Sequence, residues 1–112
     1  MANAFKTFTA QNIDTSSSKA TLYTCPSSTE TTIIGLNIAN ILTVSITVTV
    51  ELLDGGSTIT HVVKDAIVPV GSSLVAVGGP QKIVMNATDV LKVYGSQANC
   101  CDAVLSVLEI TS

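Results

Sequence analysis

Residues 44 to 52 read Val44-Ser45-Ile46-Thr47-Val48-Thr49-Val50-Glu51-Leu52. Successive side chains of an extended chain point to opposite faces. Period two therefore puts Val44, Ile46, Val48, Val50 and Leu52 on one face and Ser45, Thr47, Thr49 and Glu51 on the other. A helix would scatter the five apolar residues around its circumference. The stretch is thus a strand with one dry face and one face of short polar groups. It runs into Asp54-Gly55-Gly56-Ser57, a tight-turn sequence, and then Thr58 to Lys64. Together these predict a hairpin.

The same chemistry extends outward along the chain. Its 112 residues include 15 Thr, 14 Val and 10 Ile, which are stiff at χ1 and suit a pleated surface. Further strands are expected at Ala4–Thr9, Lys19–Thr24, Thr31–Asn40, Ser72–Val77, Gln81–Met85, Val90–Tyr94 and Cys101–Thr111. Gln11 to Ser18 reads as a polar loop. Pro26 marks a strand end, because it has no N–H to donate to a ladder. Gly35 inside its strand suggests a bulge or a close backbone contact. Asp54 and Asp89 stand where turns want an Asx side chain. Short strands at this spacing, with short loops, predict a single antiparallel β-sandwich, jelly-roll or immunoglobulin-like, of about eight strands; the alternative is a small closed barrel. The expected organisation is an N-terminal strand or arm with a Ser-rich loop over 1–18, then a sandwich over 19–112.

Charge sets limits on partners. Only 12% of residues are charged, about half the usual share, and the net charge is −3 with five Lys and no Arg. A lone monomer normally covers itself with Lys and Glu, so this surface is expected to be covered by other subunits. Without Arg forks or a basic patch, nucleic acid and anionic membrane are not expected partners. No apolar run reaches the ~18 residues a membrane helix needs. The first residues, MANAFKTFTAQ, lack the apolar core of a secretory signal, so synthesis in a cytoplasm is expected.

No catalytic constellation is visible. His61 is the only histidine, and the sequence shows no partner motif for a triad. The acidic residues are dispersed, and one His with no CxxC does not make a zinc set. The sequence therefore predicts no catalytic residue, no cofactor and no metal. Asn86-Ala87-Thr88 matches a glycosylation sequon but would stay unmodified without secretion. Tyr23 and Tyr94 are the aromatic residues a glycan-binding surface would have to expose. Three cysteines, Cys25, Cys100 and Cys101, cannot all pair within one chain. In an extended segment Cys100 and Cys101 would point to opposite faces. The three are read as small buried thiols or as candidates for a disulfide within or between subunits. Phe5 and Phe8 are the candidate subunit contacts of the N-terminal arm; the alternative is a plain edge strand on its own domain.

The order of segments adds a resemblance. A strand ends in Thr24-x-Pro26, another closes on Asn40, and a hairpin turns at Asp54 to Gly56. Then follow Pro69 to Leu74 (PVGSSL), Asp89 to Val93 (DVLKV) and Ser106 to Ile110 (SVLEI). Over about residues 19 to 111 this resembles small structural proteins of tailed bacteriophages. Cys100-Cys101 before Asp102 departs from that pattern. The resemblance implies a virion component that assembles on the outer head or neck with copies of itself and with capsid, neck or tail proteins. A receptor- or glycan-binding module on a tail or fibre is the alternative it leaves.

Overall fold

The computed structural model describes residues 2–111. Nine strands form in chain order: β1 (Ala2–Ile13), β2 (Ala20–Thr24), β3 (Thr29–Asn40), β4 (Ile46–Asp54), β5 (Thr58–Val68), β6 (Ser73–Val77), β7 (Ile83–Met85), β8 (Val90–Gly95) and β9 (Cys101–Thr111). One short 3₁₀ turn, Ser16–Ser18, stands between β1 and β2. All pairing is antiparallel. Sheet A runs β1-β9-β3-β6, with β7 also pairing β3; sheet B runs β2-β8-β4-β5. The two sheets do not close on each other, so the architecture is a jelly-roll-like sandwich and not a barrel.

Several expectations are refined by tertiary pairing. β1 extends from Ala2 through Ile13, so Gln11 to Ile13 belong to a strand and not to the polar loop. It gains this length by pairing with β9, from Ala2 opposite Thr111 to Ile13 opposite Cys101. β5 continues past Lys64 to Val68 through a shift in register near Asp65, which has φ +51°. Val44 ends a bend and Ser45 follows it, both before β4, and Val44 is exposed. Gly35 does sit at a register shift in β3, where an added Cβ would lie 3.7 Å from the Val77 carbonyl. The hairpin forms at Asp54–Ser57. The Asp89 carboxylate accepts backbone bonds at its turn as expected, from the N–H groups of Asn86, three residues earlier, and of Gly55 in the β4-β5 turn, at 2.9 and 3.0 Å. At Asp54 it is the backbone carbonyl that accepts from Ser57 N–H, at 3.2 Å.

The core lies between the sheets. Ile33, Leu36 and Ile38 of β3 and Leu105 and Val107 of β9 meet Val48 and Val50 of β4 and Leu91 and Val93 of β8. Alternation along each strand supplies these residues, as period two requires. Asn40 closes one end of the core. Its amide donates to the carbonyls of Val44 and Val68, and its side-chain oxygen accepts from Leu42 N–H, all within 2.8–3.0 Å.

Candidate functional site: assembly surfaces

Two features of the exterior depart from those of a self-contained monomer, and both follow from strand order. The first is the edge formed by β1. Nine consecutive residues, Ala2 to Ala10, pair with β9 in unbroken register. An edge strand exposes a row of unpaired N–H and C=O groups, which proteins usually blunt with Pro, bulges or outward charges. This one has no Pro, its irregularity comes only after Ala10, and its one lysine is tied inward. The Lys6 ammonium lies 2.9 Å from the Glu109 carboxylate on β9. The β5 edge of sheet B differs: register shifts and the Lys64–Asp65 pair interrupt it.

The second feature is the outer face of sheet A. Cross-strand register lays out two rows. One runs Phe5, Leu108, Thr32, Val84 across β1-β9-β3-β7; the other runs Thr9, Val104, Asn37, Val75 across β1-β9-β3-β6. Phe5 is 77% exposed and Val75 64%; Val84 and Val104 are also exposed. The acids of this face, Glu30 and Asp102, stand toward its opposite ends. Exposed apolar side chains thus stand among Thr, Ser and Asn on this face, and clusters of exposed apolar residues are a feature of interaction surfaces.

The outer face of sheet B differs. In register across β2-β8-β4-β5 lie Thr21, Lys92, Glu51 and His61. Glu51 is almost fully buried, although the alternation puts it on the outer face. Lys19 covers it at 3.0 Å and His61 Nε2 approaches at 3.5 Å, while the Lys19 ammonium also lies 5.4 Å above the Tyr94 ring. One enclosed carboxylate thus has Lys19, Lys92 and His61 around it, and Asp65, which accepts from the Thr49 hydroxyl, is a second acid on this face. His61 thus sits beside an acid, on an open sheet face of the hairpin. The sequence reading missed this cluster, because the register that brings Glu51, Lys92 and His61 together is set by pairing across β8, β4 and β5. Its local signal was a single charged residue on the polar face of β4.

The phenylalanines separate. Phe5 points outward, whereas Phe8 is half-buried and packs on Tyr23, ring centroids 4.7 Å apart. Tyr23 is buried, not solvent-facing. Its hydroxyl donates to Glu109 at 2.5 Å and shares a 2.8 Å hydrogen bond with Thr31. Burial first, and then the Glu109 carboxylate, raise the Tyr23 pKa above the usual phenol value. The Tyr23 hydroxyl and the Lys6 ammonium hold Glu109 below the usual carboxylate range, against the opposing effect of its burial.

All three cysteines are buried thiols. Cys25 Sγ lies near the Thr29 carbonyl and the Thr31 hydroxyl. Cys100 precedes β9, which lets its side chain turn inward beside that of Cys101, the sulfurs 3.7 Å apart. Burial, followed by the Cys100 sulfur alongside, pushes the Cys101 thiol up to about 12. In this fold none of the three residues is exposed at the surface. Among the described residues, no group of three or more His, Cys, Asp or Glu is placed to hold a metal ion. No helix among the described residues is long and apolar enough to cross a membrane.

No family model matches this chain, and no curated protein matches it in sequence. Solved structures share its fold. A subunit of Bacillus endospore appendages, a family of disulfide-linked pili, superposes with a TM-score of 0.59 at 19% identity, over 98% of this chain and 87% of that one. The acid-stable capsid of Helicobacter pylori bacteriophage KHP30 contains a chain with a TM-score of 0.54 at 13% identity, covering 100% of this chain and 95% of its own. A chain of infectious bursal disease virus, Gx strain, reaches 0.53 at 13% identity over 97% of this chain and 32% of its own length. At these identities the likeness is one of fold.

Proposed function

We propose that this chain is a structural subunit of a virion, assembling on the outer head or neck of a tailed phage and stabilising it through contacts repeated between copies. The observation that carries the reading is the apolar outer face of sheet A bordered by the open β1 edge. Covering the exposed apolar residues of such a surface is favourable, and many copies covering one another favour the assembled state by mass action. Fold likeness to a phage capsid chain and to a pilus subunit over nearly the whole chain supports a protein that works as a repeated unit. The low content of charge supports it further. Phe5 is the N-terminal residue proposed to contact a neighbour.

The pilus likeness favours a second reading, a subunit of an extracellular fibre built from the same surfaces. Immunogold electron microscopy with an antibody to this chain tests both on particles shed by the producing cells. Gold on phage heads or necks is expected. Gold confined to free filaments selects the fibre reading, and particles and filaments that both stay unlabelled overturn the proposal.

A further inference from the structure

We infer that the outer face of sheet A is the docking site for the outer face of sheet B of a second copy, in a head-to-tail contact. The inference rests on the reading of the chain as an assembling subunit and names the surfaces that meet. Its basis is charge. On sheet A the two acids, Glu30 and Asp102, stand toward opposite ends of the strands, and the outward positions of the paired strands include no lysine. Two such faces packed on each other in the aligned arrangement of stacked sheets are related by a twofold axis lying between them. An axis along the strands brings Glu30 to Glu30 and Asp102 to Asp102; an axis across them brings Glu30 to Asp102. Either closed dimer sets acid against acid, which disfavours it.

The outer face of sheet B offers the lysines that sheet A lacks: Lys19, Lys92 and Lys64 stand there beside two acids, Glu51 and Asp65. Lys19, Lys92 and His61 surround the enclosed Glu51 carboxylate, and Ile67 on the same sheet is 71% exposed. Docking sheet A on sheet B therefore pairs acids with lysines while it covers apolar surface from both sides. Such a contact leaves one face of each kind free at the ends of the stack, so growth continues as a lattice or fibre needs.

The test uses two full-length variants, Val104→Asp on the sheet A face and Lys92→Glu on the sheet B face. Size-exclusion with light scattering should show wild type associating with rising concentration, and each variant alone weakened at least tenfold. An equimolar mixture should form a one-to-one dimer, because each variant keeps the face the other has lost. Circular dichroism confirms folding, and Val75→Asp, in the same row on β6, replaces Val104→Asp if that variant unfolds. Wild-type protein that stays monomeric overturns the inference, as does Lys92→Glu dimerising alone, which means sheet A faces meet each other. Variants that both assemble like wild type also overturn it, by pointing to the strand edges. None of these results removes the virion reading, which stands or falls on the immunogold labelling.

Discussion

Glu109 shows how much one residue can hold in place. It lies on β9 between β1 and β3, and it accepts from Tyr23 and Lys6 while excluded from water. Its pKa is lowered in the fold, so its contribution is complete above the ordinary carboxylate value and is lost as pH falls through the lower folded value. Tyr23 acts at the other limit. With a raised pKa, its contribution is complete below about 10 and is lost as pH rises toward the folded value. Urea midpoints should therefore hold steady between those limits and fall on both sides, and Glu109→Gln should flatten the acid limb. Tyr23→Phe removes one donor from a buried carboxylate and should cost about 1–3 kcal/mol in the same measurement.

Gly95 is a second decisive residue, for steric reasons. A Cβ there would lie 2.1 Å from Cys100 Sγ. Gly95→Ala should destabilise by about 1–3 kcal/mol, the usual cost of overpacking, and adding Cys100→Ala should recover part of it. The buried thiols make a related statement. A thiol-reactive dye should find no sulfur in the native protein at pH 8 and three after denaturation, since the thiolate is the reacting form and burial suppresses it.

At the scale of elements, the β4-β5 hairpin and β1 make opposite demands. Gly55 and Gly56 have φ of +62° and +81°, the conformation of a two-residue turn whose twist matches its strands. An added Cβ at Gly56 meets only ordinary contacts, so the cost of replacement is backbone strain. Gly56→Val should lower stability by about 1–2 kcal/mol, read from the unfolding midpoint. In β1 the N-terminal half buries little of itself, so Phe5→Asp should change folding stability by less than about 0.5 kcal/mol. The same substitution should markedly weaken self-association in light scattering, because Phe5 heads one of the apolar rows of sheet A.

For the whole molecule, the main property is the inequality of its two exteriors. A sandwich buries the inner faces of both sheets and leaves the outer faces to evolve separately. Here one outer face is apolar with acidic ends, and the other holds a carboxylate beneath lysines and an imidazole. The molecule is a slab of 45 × 27 × 21 Å with two unlike outer faces.

Alternation of β-branched and polar residues, together with Gly-Gly and Pro at the turns, was enough to specify strands, the hairpin and an all-β class, because period two is a property of the local chain. The register shift at Gly35 and the bond from Asn86 N–H to Asp89 within its turn were legible for the same reason, whereas the bond from Gly55 N–H to Asp89 comes from tertiary pairing. Tertiary structure alone decided which strands lie side by side. That ordering carried β1 through Ile13, buried Tyr23 on Glu109, and set Glu51 under Lys19 beside His61. It also assembled scattered outward residues of β1, β3, β6, β7 and β9 into one apolar face. Pairing between distant segments depends on the free energy of the whole packed core, and no window along the chain contains that quantity.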